Sequence, residues 1–302
     1  MSNARKLADN LPTEGQLGAR SFIINGGMEI SQRGISSTSS GYVSLDRWYV
    51  NQSGASTTFS QETNSNPSET GGLQKYARLN VSSSSDYCHI RQPIEDVTTV
   101  PAGTVTLSFY AKGTAPAGGL YTYGNQHFGS GGSSDVDWTP VLITSTLTSD
   151  WVRYTAQITV PSLDGKTVGA GSYFLLDIGQ HSNNASTAFD LNITGVMLEE
   201  GSQASPFEHE PVGVTLSKCQ RYFYKGGSTD RLRLTQYHSS YKGATFFYPT
   251  TMRAAPTVSA THTGGTNTFG SATDKSFFAY YASGTSDSTY HEVTSITLDA
   301  EL

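Results

Sequence analysis

Cysteine is nearly absent from this chain: Cys88 and Cys219 are the only two in 302 residues. Two cysteines so far apart make no disulfide framework and no zinc-ligand spacing, so two free thiols are expected. Charge is scarce as well. Asp, Glu, Lys and Arg together make up 15% and the formal balance is -6. The clustered Lys and Arg that grip nucleic acid or anionic lipid are missing, so neither is an expected partner. No run approaches the roughly 18 apolar residues of a membrane span, which argues against membrane insertion, and MSNARKLADNLP lacks the apolar stretch of a secretory signal. Synthesis and folding in a cytoplasm are therefore expected.

What is present favours strands. The 31 glycines and 17 tyrosines, with abundant Ser and Thr, suit short strands joined by small-residue turns. From Phe22 onward, short apolar or alternating runs bounded by turn residues read as strands: SFIINGGMEI, DRWYV, KYARLNV, CHIRQPI, GTVTLSFYAKG, VLITSTL, WVRYTAQITV, SYFLLDIG and FDLNITGVMLEE. In TVTLSFYAKG, Val105, Leu107 and Phe109 fall on one face and Thr104, Thr106 and Ser108 on the other, which predicts burial of one face only. A second β-rich region carries QRYFYKG, RLRLTQY, ATFFYPTTM, TVSATHT, SFFAYYAS and HEVTSITLDAEL, with a density of aromatics that favours an intersubunit contact over a thick core.

The expected fold is thus all-β: a jelly-roll β-sandwich over 21–208, a short helical junction over 209–222, and a second, smaller antiparallel β domain over 223–302. Residues 1–20 form a short N-terminal helical or extended anchoring segment and linker, with Leu7 and Leu11 on one face for docking. In the junction, Pro206 turns the chain and Phe207 plugs the sandwich. The stretch VTLSKCQRYF then turns as a helix with Val214, Leu216, Cys219 and Tyr222 facing inward, too short to stand without a partner surface.

Five segments resemble parts of known proteins. IINGGMEISQRG with LDRWYV, and FDLNITGVMLEEGSQASPFE, look like the first and last strands of jelly-roll modules in phage tail fibres and carbohydrate-binding proteins. SPFEHEPVGVTLSKCQRYF is similar to a junction in phage tail-fibre and other virion proteins, and FFYPTTMRAAPTVS looks like a segment of their terminal domains. The ordered resemblance spans roughly residues 20 to 260. It implies a virion fibre or appendage subunit, usually a homotrimer, attached to other virion proteins through its N-terminal segment and facing a host cell-surface glycan. A head or neck decoration fibre and a carbohydrate-binding module of a bacterial protein are the alternatives. Glu210 stands where many members of the family carry a basic residue.

No enzyme is expected. Adjacent carboxylates such as Glu199 and Glu200 point to opposite faces of a strand, and no Gly-x-Ser-x-Gly elbow occurs. Sugar binding needs aromatic planes for pyranose C–H faces and polar groups for the rim. The candidates are Tyr121, Tyr123 and His127 in GGLYTYGNQHFG, and Asp135, Asp137 and Trp138 in GSGGSSDVDWTP, both read as glycine-rich loops; Trp138 alternatively begins a strand and fills the core. Tyr281, Tyr290 and His291 are candidates in the terminal domain. Cys88, Trp48 and Trp151 read as core and His89 as surface. No cofactor is expected beyond a structural calcium at Asn25, Glu29 and Asp190, where hard oxygen ligands occupy the first and last strands. Glu208 and His209 are weaker candidates for an ion on a trimer axis.

Overall fold

The structure is a computed structural model that describes residues 20–53, 56–82, 86–181, 188–227, 232–238, 241–263, 268–270, 272–282 and 292–302. The anchoring candidates Leu7 and Leu11 lie outside the described residues. The chain is all-β, a jelly-roll β-sandwich followed by a short helix and a second, smaller antiparallel β unit. One sheet of the sandwich runs β1 (Ser36–Ser37), β3 (Thr57–Thr63), β4 (Lys75–Val81), β11 (Phe189–Glu200), β6 (Gly103–Thr114), β9 (Val152–Val160). The other runs β2 (Tyr49–Ser53), β5 (Tyr87–Glu95), β10 (Tyr173–Gly179), β7 (Leu120–His127), β8 (Val136–Thr144). Every pairing in the two sheets is antiparallel.

Alternation explains the core. Phe59, Leu79, Leu107, Phe109, Ile158 and Leu191 from the first sheet meet Val50, Ile90, Phe174, Leu176 and Ile178 from the second in one cluster with Trp48. Each large apolar side chain removed from water there contributes about 1.5–3 kcal/mol. Cys88 belongs to this core and Trp151 is buried.

Four strand-level expectations are corrected. SFIINGGMEI is no strand. Asn25, at φ 58°, closes a turn, its Oδ1 accepting from the amides of Glu29 and Ile30 and its Nδ2 donating to the carbonyls of Ile30 and Asp46. A Cβ at Gly26 would lie 2.0 Å from the Val196 carbonyl oxygen, so only glycine permits this crossing. Conversely, GGLYTYGNQHFG and the end of GSGGSSDVDWTP are not loops; they enter β7 and β8, paired to each other. Finally, β6 is buried on both faces, because the segment after β11 folds back over it: Thr106 donates to the Gly201 carbonyl (2.7 Å), and Arg153 bridges Ser108 and the Ser205 carbonyl.

Helix α1 (Val212–Gln220) starts after Pro211 and buries Thr215 and Cys219. Tyr222 continues that stripe and Leu216 is half-buried, but Val214 is exposed, contrary to expectation: it lies one residue from Thr215, about 100° around the helix. Phe207 packs half-buried beside Leu73, Gly27 and Gly195. Glu210 ion-pairs with Lys218 on the helix.

The terminal unit contains a sheet of β12 (Phe223–Lys225), β19 (Glu292–Asp299) and β13 (Leu232–Arg233), with β16 (Thr257–Thr263) also on β19. A second sheet runs β14 (Thr235–His238), β15 (Tyr241–Phe247), β18 (Ser276–Ala282), β17 (Thr268–Gly270). Its aromatics mostly build its own core rather than a surface: Phe277 packs on Phe246 (5.5 Å between centroids), Phe269 (5.7 Å) and Tyr248 (6.3 Å). Phe247 remains exposed.

Two arginines, Arg47 buried and Arg33 half-buried, join this unit to the sandwich. Arg47 is 1% exposed, lies 3.6 Å from the Tyr222 ring centroid, ion-pairs with Glu301 and donates to the Pro93 carbonyl. Arg33 lies 3.4 Å from the Phe223 ring centroid and pairs with Asp299 and Glu301. Arg221 and Tyr222 both donate to Glu95. Glu301→Ala leaves a buried guanidinium without its carboxylate and is expected to cost about 3–5 kcal/mol in urea unfolding, whereas Arg47→Met with Glu301→Leu costs far less. Equal losses in the two variants would contradict this assignment.

Candidate functional site

The five-stranded sheet has one face on the core and one turned outward, and the outward residues fall into register across it. Tyr49 stands opposite Arg91, Arg91 opposite Asp177, and Asp177 opposite Tyr123; the adjacent row is Asn51, His89, Gly179, Tyr121. Polar and aromatic groups therefore run laterally over β2, β5, β10 and β7.

Asp177 organises the rows. It is 2% exposed, and Arg91 grips it with two parallel bonds, Nε to Oδ1 at 2.9 Å and an Nη to Oδ2 at 3.1 Å. Burial pushes its carboxyl up to about 7, with Arg91 opposing the shift. Arg91 also donates to His89 Nε2 at 2.8 Å, and Asn51 donates to the same nitrogen at 3.1 Å. Nε2 is then an acceptor, so the ring proton sits on Nδ1 and is donated to the Tyr123 hydroxyl oxygen at 2.6 Å; that hydroxyl donates to the Gln180 carbonyl at 2.8 Å. His89 is neutral, held well below its usual range by burial and by Arg91. Its 3.8 Å approach to Asp177 is accordingly no ion pair.

A cleft of about 410 Å³ opens over this network, lined by Arg91, Tyr123, Asn125, Asp137, Asp177 and His181 among others. Gly124 keeps its floor low, and Gly179 lies in the neighbouring row. A Cβ at Gly124 would lie 1.9 Å from the Leu175 carbonyl oxygen, and one at Gly179 would lie 2.6 Å from His89. His181 packs edge-on against Tyr123 (4.9 Å) and tilted on Tyr121 (5.6 Å), so three rings stand together at one side. Further along β7, His127 hydrogen-bonds Asp135 (2.9 Å) and stacks on Tyr173 (4.5 Å).

Of the residues singled out from sequence, the fold brings Tyr121, Tyr123, His127, Asp135 and Asp137 onto this face. Trp138 is 2% exposed and stacks on Phe174, so the core alternative describes it; its indole edge reaches only the cleft floor. His89, expected at the surface, is buried by the rings of Tyr87 and Tyr123. Tyr290 and His291 lie outside the described residues, as does the side chain of Tyr281 on β18. The calcium set does not converge: Asn25 is committed to its turn, and Asp190 is bound bidentately by Arg78. No group of three or more His, Cys, Asp or Glu suited to a metal ion occurs among the described residues. Glu208 accepts from the Arg20 amide, and His209 bonds the Gly71 carbonyl. Arg91, Asp177 and His181 went unpredicted; a lone acid inside the apolar run YFLLDIG was the available signal.

No family model and no curated protein matches the sequence. Among solved structures, the chain is similar to a family 4 carbohydrate-binding module at 16% identity and a TM-score of 0.37, covering 58% of this chain and 97% of that one. It is similar to the family 11 carbohydrate-binding module of Clostridium thermocellum at 14% identity and 0.31, covering 52% and 91%. It also resembles the enzymatically active domain of bacteriophage CBA120 tailspike protein 4 at 14% and 0.35, covering 60% of this chain but 21% of that one. Identities and scores this low leave the functional reading to the geometry of the site itself.

The buried carboxyl has a measurable consequence. A folded-state pKa raised from the ordinary carboxylate range to about 7 makes the contribution of Asp177 to stability greatest below its unfolded pKa and lost as pH rises through about 7. The Asp177 carboxyl carbon should titrate near pH 7 by NMR, and wild type should gain stability relative to Asp177→Asn as pH falls through that point. An Asp177 midpoint in the ordinary carboxylate range would overturn the assignment.

Proposed function

We propose that the outer face of the five-stranded sheet binds a glycan, and that the protein is a non-enzymatic virion subunit, a trimeric tail fibre that attaches to a host-surface glycan during adsorption. The observation that carries the binding reading is the cleft: the rings of Tyr123 and His181, with Tyr121 packed on His181, stand beside the amide of Asn125 and the carboxylate of Asp137, over a glycine-lowered floor. Sugar C–H faces stack on such rings while hydroxyls meet the polar rim. The network beneath holds the Tyr123 hydroxyl in place before any ligand arrives, which lowers the ordering cost of binding. Binding without catalysis fits Asp177, whose two oxygens are both held by Arg91.

The virion reading is supported by the junction motif and the Met-Arg-Ala-Ala-Pro-Thr-Val segment. In a trimer, three weak sites acting together give firm adsorption through avidity.

Purified protein screened on a glycan array and by affinity electrophoresis is expected to retain one glycan class. Tyr123→Ala should weaken that retention roughly tenfold, the equivalent of about 1.4 kcal/mol. Light scattering should give three times the chain mass, and free protein should block phage adsorption. Retention unchanged in Tyr123→Ala would remove the cleft from consideration, and a stable monomer would contradict the fibre.

A further inference from the structure

We infer that the glycan taken by this cleft carries a carboxylate, as a uronate or a sialic acid does, and that the second Nη of Arg91 receives it; this rests on the glycan-binding reading above. At the β5 end of the cleft the acceptors are engaged. Both Asp177 oxygens are held by Arg91, and His89 Nε2 accepts from Arg91 and Asn51. The Tyr123 hydroxyl takes the His89 proton and donates its own to the Gln180 carbonyl. What remains is a donor. Arg91 uses Nε and one Nη for Asp177 and His89, while its other Nη has no partner among the described residues, on a side chain 25% exposed at the cleft. Asn125 adds another: its Oδ1 is buried without a partner, so the amide offers the cleft its Nδ2. Free donors beside engaged acceptors call for an accepting ligand, and next to a guanidinium the strongest acceptor is an anion.

The guanidinium is held in place before any ligand arrives. Asp177 and His89 fix it by hydrogen bonds, and the Tyr49 ring on β2 lies 5.9 Å from its carbon, so little freedom is left to lose on binding. Its charge is answered only in part. Burial pushes the Asp177 carboxyl up to about 7, so at neutral pH that acid is ionised in only a fraction of the molecules. One guanidinium shared in this way suits a monoanion such as a sugar carboxylate, whereas a phosphate, with a charge of roughly -1.5 to -2, exceeds what it can answer. Asp137 stands well apart. It is exposed on β8, three strands across the sheet from β5, or about 14 Å between backbones at the usual strand spacing. A Debye length of about 8 Å screens its repulsion over that span. The cleft thus has a cationic end at β5 and an anionic end at β8, with Tyr123 on β7 between them. An acidic sugar with its carboxylate over Arg91 lays its ring toward Tyr123, and a hydroxyl of the next residue can donate to Asp137.

The test uses an array of oligogalacturonate, oligoglucuronate and sialyllactose, each beside its counterpart with the carboxyl reduced to the primary alcohol, together with neutral glycans and hexose 6-phosphates. The best acidic binder and its reduced form are then titrated calorimetrically into the full chain. Wild type is expected to bind the acidic form at least about tenfold more tightly, and retention of the uronates or of sialyllactose identifies the source of the carboxylate. Arg91→Gln with Asp177→Asn removes both charges without stranding a buried carboxylate, and should bring the ratio toward one, chiefly by weakening the acidic form. Arg91→Lys keeps one charged head for Asp177 and none for the ligand, and should narrow the ratio as well. A reduced form bound as tightly as the acid, a ratio unmoved in both variants, retention of neutral glycans alone, or a 6-phosphate bound above every carboxylate overturns the inference while leaving glycan binding intact. Retention of no glycan at all overturns the glycan-binding reading, and the inference with it.

Discussion

The outward face of the five-stranded sheet depends on the ion pair between Arg91 and Asp177. A carboxyl buried to 2% exposure in a strand whose neighbours Leu176 and Ile178 enter the core finds its polar partner in Arg91, which holds both of its oxygens. Once that pair is made, the rest of the network follows by donor and acceptor count. Arg91 turns His89 Nε2 into an acceptor, the imidazole proton moves to Nδ1, and the Tyr123 hydroxyl is directed at the Gln180 carbonyl. The aromatic wall of the cleft is thereby fixed by charges beneath it.

The same logic operates at the junction. Arg47 and Arg33 are packed against the rings of Tyr222 and Phe223 and paired with acids from the last residues of the chain. The junction stretch is consequently more than a corner and a helix between two β-rich regions. Its Tyr222 is a plate against which a sandwich arginine is held, and the chain returns at Glu301 to neutralise that charge.

Sequence alternation made most of the sandwich legible, because β6, β9 and the first half of β11 carry apolar residues on every second position. It failed at β7, where the inward positions include Thr122 and Gln126, both fully buried, so the apolar signal of a strand is absent. It failed in the opposite direction at SFIINGGMEI, whose apolar content looks extended but whose Asn25 commits four hydrogen bonds to a turn. The site was half legible. Its rings and rim acids were visible as an aromatic cluster, but its organising groups are distant in sequence, and His89, Arg91 and Asp177 meet only through strand register. The helix phase was misjudged at Val214 because a stripe of Thr215, Cys219 and Tyr222 includes a threonine that hydropathy does not mark.

The claim that this face is the binding surface is tested most directly by amide chemical-shift mapping of the full chain during titration with the oligosaccharide selected on an array. The account predicts that the largest shifts fall on Tyr123, Gly124, Asn125, Asp177, Gly179 and His181, residues from two distant segments of sequence but one patch of sheet. Shifts confined to residues 223–302, or to the outer face of the six-stranded sheet, would contradict it.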